Sequence, residues 1–231
     1  MWQPESVDDQ QIVSSLPGFH HLTFEEFQRL FGPWAPYEPP ALADLLAGAA
    51  FRWWIGGGWA VEAVTGTRRE HEDIDVVVLR RDLPQVRRHL DRFHLWSAHG
   101  GTLAPLLNGT DLPLDHEQLW VRRNAYSPWV MDVLLTPAEG EDWIYKRDHR
   151  LRRPLAEVGF VGPDGLPYLR PEVVLLFKAR LSRAKDSADF DALLRSLGAE
   201  AKSWLATALE LTERGHPWIE RLQSPAARPS D

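Results

Sequence analysis

Three consecutive glycines, Gly56-Gly57-Gly58, stand between an aromatic, apolar run (Phe51-Arg52-Trp53-Trp54-Ile55) and a second apolar run that opens on two acids, Asp73-Ile74-Asp75-Val76-Val77-Val78-Leu79. The first run reads as a strand that the glycines break. Trp59 to Thr65 reads as a helix closed by Gly66. Asp73 to Leu79 reads as a strand, because three adjacent β-branched residues favour a pleated, buried surface. A strand, a glycine turn, a helix and a second strand with acids at its start leave few arrangements other than a mixed α/β sheet.

Each part of that unit has a chemical use. Glycines at a strand-to-helix turn let backbone N–H groups approach an anion, and the helix N-terminus favours negative charge, so the turn suits a triphosphate. A ligand-free tight turn would use the same residues. In a strand, side chains at i and i+2 share a face, which puts Asp73 and Asp75 together. Two carboxylates 4 Å apart repel by roughly 4 kcal/mol at an effective dielectric of 20, so the pair calls for solvent or a cation. Oxygen ligands select Mg²⁺ or Mn²⁺ over zinc. A third carboxylate would complete a two-metal site for in-line phosphoryl displacement. Asp132 is the candidate, since it interrupts the apolar run Trp129-Val130-Met131-Asp132-Val133-Leu134-Leu135, where a charge must be paired, metal-bound or neutralised. Arg122 and Arg123 are the alternative partners for it.

Around this unit, Thr23-Phe24-Glu25-Glu26 has capping-box spacing and opens a helix that Pro33 must stop. Ala41 to Ala50 reads as a helix, and Asp82 caps another that runs to about Arg92. Gln118–Arg123 and Trp129–Leu135 are strand candidates joined by an Asn124–Pro128 turn. Trp143–Tyr145 and Pro167–Leu169 read as edge strands on either side of a Gly162–Gly165 turn. After Pro171 the chain reads as helical over 171–183, 186–197, 199–214 and 217–222, with Asp186 as an N-cap. The organisation that follows is a helical N-terminal extension (1–50), a mixed α/β body (51–168), a C-terminal helical part (169–222) and a disordered tail (223–231).

Composition limits the chemistry further. The chain has no cysteine, which excludes disulfides, thiolate metal sites and a cysteine nucleophile. Its net charge of −7 argues against general nucleic-acid or anionic-membrane binding and suits a cationic small substrate. No apolar run approaches the roughly 18 residues of a spanning helix, and the first residues show no basic and apolar leader, so the expected location is the cytoplasm. Eleven tryptophans read as core and edge packing, with an aromatic wall for a ring-bearing ligand as the alternative. Glu117, Glu141 and Asp142 are candidates for an acidic wall around a cationic acceptor, or solvated loop charges.

Gly57-Gly58-Trp59, Gly66 and Arg69-Glu70-His71-Glu72-Asp73-Ile74-Asp75 resemble the signature of the DNA polymerase β-like nucleotidyltransferase superfamily, and most of all that of its aminoglycoside and lincosamide nucleotidyltransferases. Pro171-Glu172, Lys178, Lys185-Asp186 and Asp189 are similar to a later segment of the same relatives, so the likeness covers roughly 50–195. The resemblance implies a nucleotidyltransferase-type mixed β-sheet flanked by helices, followed by a C-terminal helical part. It implies an enzyme that moves a nucleoside monophosphate, AMP from ATP, onto a hydroxyl of a small molecule and releases pyrophosphate. Two Mg²⁺ ions, with Mn²⁺ as the alternative, would sit on Asp73, Asp75 and Asp132. Asp132 would hold the catalytic metal, act as general base, or both. Gly56, Gly57 and Gly58 would meet the nucleotide phosphates, with the choice between the first and second glycine pair open. Arg69 would orient the acids or touch phosphate, and Lys178 first, Lys185 second, would neutralise the leaving pyrophosphate. A toxin-type enzyme that modifies protein or tRNA, and a nucleotide-binding module without turnover, are the two rival readings.

Overall fold

The computed structural model describes residues 23–224. The expected disordered tail, save its first two residues, and the start of the N-terminal extension lie outside them. Helix α1 (Phe24–Phe31) starts where the sequence places it: Thr23 Oγ1 accepts from the Glu26 amide at 3.2 Å and Glu26 Oε2 accepts from the Thr23 amide at 2.8 Å. Helix α2 (Pro39–Leu45) begins on a proline whose missing N–H is not needed there. It begins and ends earlier than the apolar pattern suggests.

Strand β1 (Trp53–Ile55) runs into helix α3 (Gly57–Thr65), which ends on Gly66 in the left-handed conformation. Strand β2 (Asp75–Leu79) follows, then a 3₁₀ turn (Arg80–Asp82) and helix α4 (Leu83–His89). Asp82 stands at the N-cap of α4 but makes no side-chain cap bond. Next come β3 (His94–His99), β4 (Thr102–Pro105), β5 (Gln118–Arg122) and β6 (Trp129–Thr136). Short strands β7 (Ala138–Glu139), β8 (Asp142–Ile144) and β9 (Arg152–Pro154) form a separate three-stranded sheet. Strands β10 (Gly159–Val161) and β11 (Pro167–Leu169) lead into helices α5 (Pro171–Ala179), α6 (Ala184–Leu194), α7 (Ala199–Thr212) and α8 (Trp218–Gln223).

Among the described residues the main sheet has eight strands in the order β10-β11-β1-β2-β6-β5-β3-β4. β2 and β6 run parallel at its centre, as do β1 and β11, and the other pairs are antiparallel. The central strands are buried on both faces, which explains the unbroken Val76-Val77-Val78 run. β11 is therefore an interior strand and not the expected edge, because β10 covers its outer side. No helix among the described residues is long and apolar enough to cross a membrane.

One correction bears on the site. The strand expected from Asp73 starts only at Asp75. The Asp132 amide bonds the Ile74 carbonyl at 3.0 Å, but the next positions on that side of β6 are already taken. Trp129 N–H donates to Pro33 O, Ala35 N–H to Trp129 O, and Tyr37 N–H to Val130 O, each at 2.9 Å. Residues 33–37 thus occupy the place alongside β6 that a longer β2 would need, and Asp73 is left exposed ahead of the strand.

The same segment closes a small aromatic core. Phe27, Trp120 and Trp129 are buried there, with Trp34 and Trp96 packed against them. The Arg122 guanidinium lies 4.7 Å from the Trp96 ring centre and 4.3 Å from that of Trp129, in reach of cation–π attraction. The tryptophans of this cluster serve packing. Trp143 is likewise fully buried, in the larger core.

Candidate active site

The β2–β6 register sets Asp75 directly beside Asp132. Side chains of paired residues on neighbouring strands share a face, and the strands are about 4.8 Å apart, so the two carboxylates meet without any loop to place them. Asp132 is 5% exposed. Its Oδ2 accepts a short hydrogen bond from the Gln118 side-chain amide, and its Oδ1 is buried with no hydrogen-bond partner among the described residues. Neither Arg122 nor Arg123 pairs with it; Arg122 turns to the tryptophans instead.

Electrostatics follow from this crowding. Burial first, and then the Asp73 charge, push the Asp75 carboxyl up to about 7, against the opposing pull of Lys178, Lys185 and Arg183. Burial, then Asp75, hold Asp132 well above the usual carboxylate range, while the Gln118 bond works the other way. An orphaned buried oxygen on an acid beside a second acid is costly as it stands. An all-oxygen group of this kind matches a hard divalent cation, which would supply the missing partner and the missing charge.

The glycines have separable roles. Gly57 has φ +54°, and a Cβ there would run into the Asp75 carboxylate. Gly58 lies under the 66–73 loop: a Cβ there would come within 2.6 Å of Arg69 Nη2 and 3.0 Å of His71 Nδ1. Gly56 is the N-cap of α3, and its N–H donates to Asp75 O at 2.9 Å. Gly57→Ala combines a left-handed backbone, about 1–3 kcal/mol for a residue with a side chain, with a clash against Asp75. It is expected to lower the melting temperature by about 5 °C in thermal denaturation. Gly66→Ala, with open space around its Cβ, is expected to cost less.

The acid-bearing loop is locked by α3. The Trp59 indole stacks on the His71 ring at 3.8 Å, and its Nε1–H donates to Asp73 O at 3.2 Å. Glu62 accepts from the Arg69 amide at 3.2 Å and meets His71 Nε2 at 2.9 Å. Burial works against the Glu62 charge, but the His71 and Arg69 bonds outweigh it and hold the carboxyl below its ordinary value. His71 thus serves to hold the loop.

The basic residues sit where the C-terminal helices meet this loop. Arg69 makes a bidentate pair with Asp189, at 2.7 and 3.2 Å. Lys178 Nζ lies 2.8 Å from Asp189 and 3.3 Å from Asp186, and both carboxylates are almost fully buried. Asp186 is at the third position of α6, not its N-cap, and accepts from Arg183 Nε at 2.8 Å. Asp189 pairs with Arg69 and Lys178 rather than with Lys185 at i+4. Lys185 is 35% exposed and 3.5 Å from Glu72. Of the candidate acidic wall, Glu117 pairs with Lys146 at 3.0 Å and Glu141 with Arg52 at 3.2 Å.

Trp59, Glu62, Gln118 and Arg183 all act on the site, and none was singled out in the sequence as a site residue. Trp59 and Glu62 left a trace, three apart on one helix face. Gln118 left none, because its contact with Asp132 depends on strand pairing.

A family model described as aminoglycoside-2''-adenylyltransferase matches residues 40–98, the segment that carries the glycines, Arg69, Asp73 and Asp75. No curated protein sequence matches the chain. Among solved structures, the solution structure of the antibiotic-resistance factor ANT(2'')-Ia is similar at 14% identity and a TM-score of 0.50, over 78% of this chain and 91% of that one. The crystal structure of ANT(2'')-Ia in complex with adenylyl-2''-tobramycin matches at 15% identity and a TM-score of 0.49, over 74% of this chain and 97% of that one. Residues 40–98 are thus similar to that family model, and the chain shares the fold of the ANT(2'')-Ia solution structure.

Proposed function

We propose that this relative of the aminoglycoside adenylyltransferases transfers AMP from ATP to a hydroxyl of a cationic small molecule, an aminoglycoside or lincosamide, with Mg²⁺ bound. The observation that carries the reading is the pairing of Asp75 with Asp132 beside the glycine start of α3. The bond that forms joins the acceptor oxygen to the α-phosphorus. The bond that breaks joins that phosphorus to the bridging oxygen, and pyrophosphate leaves.

Asp73, Asp75 and Asp132 would hold the metal ions, and bound Mg²⁺ supplies charge neutralisation for the phosphates. The Asp132 carboxylate takes the proton of the attacking hydroxyl, and the Gln118 amide fixes which of its oxygens faces that hydroxyl. The Gly56 N–H is already given to Asp75 O, so the backbone N–H groups of Gly57 and Gly58 would meet phosphate oxygens, with the positive end of α3 behind them. Lys178 is committed to two buried carboxylates and Arg183 to Asp186, so Lys185 carries more of the charge offered to pyrophosphate. Such a reaction draws its rate from positioning and electrostatics. The net charge of −7 favours a polycationic acceptor.

The test is pyrophosphate release with Mg²⁺ across the four nucleoside triphosphates and a panel of aminoglycosides and lincosamides. Release that needs an acceptor, prefers ATP and vanishes in Asp132→Asn is the expected result. No release with any acceptor, or full release by Asp132→Asn, would overturn the assignment.

A further inference from the structure

A second group of metal-ligand side chains stands away from the carboxylates. Register alternation separates the two places. Trp96 pairs with Trp120, Trp120 with Asp132 and Asp132 with Asp75, so these four share one face of the sheet. Ser97, one residue on, faces the other way, and His99 follows it at i+2. On that side the ring of His99 stacks on the ring of His116, 4.1 Å apart and 11° from parallel. Asp115 Oδ2 lies 3.5 Å from His99 Nε2. One ligand atom from each of His99, Asp115 and His116 falls within 4.8 Å of the others.

The surroundings hold this group in place. Ser97 is buried, and its Oγ sits 2.7 Å from His116 Nδ1, which fixes the ring and leaves Nε2 as the nitrogen for an ion. A hydrogen bond to the second ring nitrogen is the usual support of a metal-bound imidazole. The Arg80 guanidinium clamps the preceding loop: Nη1 donates to His116 O at 2.7 Å, and Nη2 to Leu112 O at 2.8 Å and Pro113 O at 2.5 Å. His116 is thereby pinned to the core of the sheet, whereas the side chains of His99 and Asp115 are 41% and 72% exposed and can turn about their side-chain bonds.

We infer that His99, Asp115 and His116 form a binding site for one zinc-type divalent ion, separate from the carboxylate site. Two neutral imidazoles and one carboxylate make a borderline-soft N₂O set that suits Zn²⁺, whereas Asp73, Asp75 and Asp132 make a hard oxygen set that suits Mg²⁺. Bonds of about 2.0–2.2 Å to a tetrahedral ion place ligand atoms about 3.3 Å apart, so closure needs His99 to rotate out of its stack and Asp115 to swing in. The fourth position is left to water. The ion ties the end of β3 to the loop that leads into Glu117 and Gln118. This inference does not rest on the proposed reaction.

Zinc binding to the full chain is measured by equilibrium dialysis in excess Mg²⁺, with Co²⁺ absorption as the sign of nitrogen ligation. One equivalent per chain is expected, retained in Asp75→Asn. The affinity should fall at least tenfold in His99→Ala and in His116→Ala, and by about tenfold in Ser97→Ala through loss of the supporting bond. His99→Gln guards against misfolding, since an exposed position keeps its polarity. Zinc should also raise the melting temperature of the wild type and not that of His99→Gln. Absence of binding, stoichiometry unchanged in both His99 variants and His116→Ala, or loss in Asp75→Asn alone would overturn the site.

Discussion

Asp75→Asn is expected to cut nucleotidyl transfer by at least about a thousandfold, a barrier increase of about 4 kcal/mol. The substitution also tests how the site is built. In the metal-free protein the Asp75 carboxyl is pushed up to about 7, by burial first and the Asp73 charge second, while an unfolded chain titrates it near 4. Between about pH 4 and pH 7 the native state therefore binds a proton that the unfolded state does not, and this group's contribution to stability falls as pH rises through that window. The metal-free wild type should gain stability from this group on going from pH 8 to pH 5. Asp75→Asn should lose that gain and should melt higher than the wild type at pH 8, by about 3–6 °C. Saturating Mg²⁺ should raise the wild-type melting temperature at pH 8 and leave the variant nearly unmoved. Melting curves in chelator and in Mg²⁺, at both pH values, read all four states. A variant no more stable than the wild type in chelator would show that Asp75 is not under electrostatic pressure.

Lys178→Met is expected to act on the fold before it acts on the nucleotide. Lys178 stands between two carboxylates, Asp186 and Asp189, that are 0% and 3% exposed. Removing one partner of a buried charge cluster costs about 3–5 kcal/mol, because the remaining charges stay buried. A fall in melting temperature of roughly 10 °C follows. Combining Lys178→Met with Asp189→Asn should recover part of the loss, since each removes the reason for the other. A phosphate-binding lysine behaves differently: its loss would leave the melting temperature in place and raise the KM for ATP. Melting curves on the single and double variants, with ATP titrations, separate the two roles.

Why the lysine reads differently in sequence and in structure is a matter of contact distance. By the resemblance to the nucleotidyltransferases, Lys178 reads as a basic group on a helix facing a cleft. Its neighbours Asp186 and Asp189 are visible in the sequence, but the turn at 180–183 that folds α6 back on α5, and the long-range bond from Arg69 to Asp189, are not. Gln118 shows the same limit more sharply. It touches Asp132 only because β5 and β6 pair in one register, and a one-residue slip would point it away. β2 starts later than its sequence suggests for a third reason. Local propensity favours a strand from Asp73, but the partner groups it needed are taken by residues 33–37, some forty positions upstream.

What can be read directly from the chain is what depends on local physics. A glycine turn between a strand and a helix, a β-branched run led by acids, an acid isolated in a second apolar strand and a capping box at Thr23 each follow from near neighbours along the chain. Those signals are enough for a mixed α/β body and for the helical C-terminal part, and they single out the three aspartates as candidates. Folding in three dimensions sets which acid meets which, that Asp132 leans on an amide and keeps one oxygen unpartnered among the described residues, that Arg69 and Lys178 meet at Asp189, and that two histidines stack behind the sheet. Those are meetings between residues far apart in the chain. They are set by strand register and by burial, which raises the cost of every unpaired charge, and neither quantity is written in any short stretch of residues.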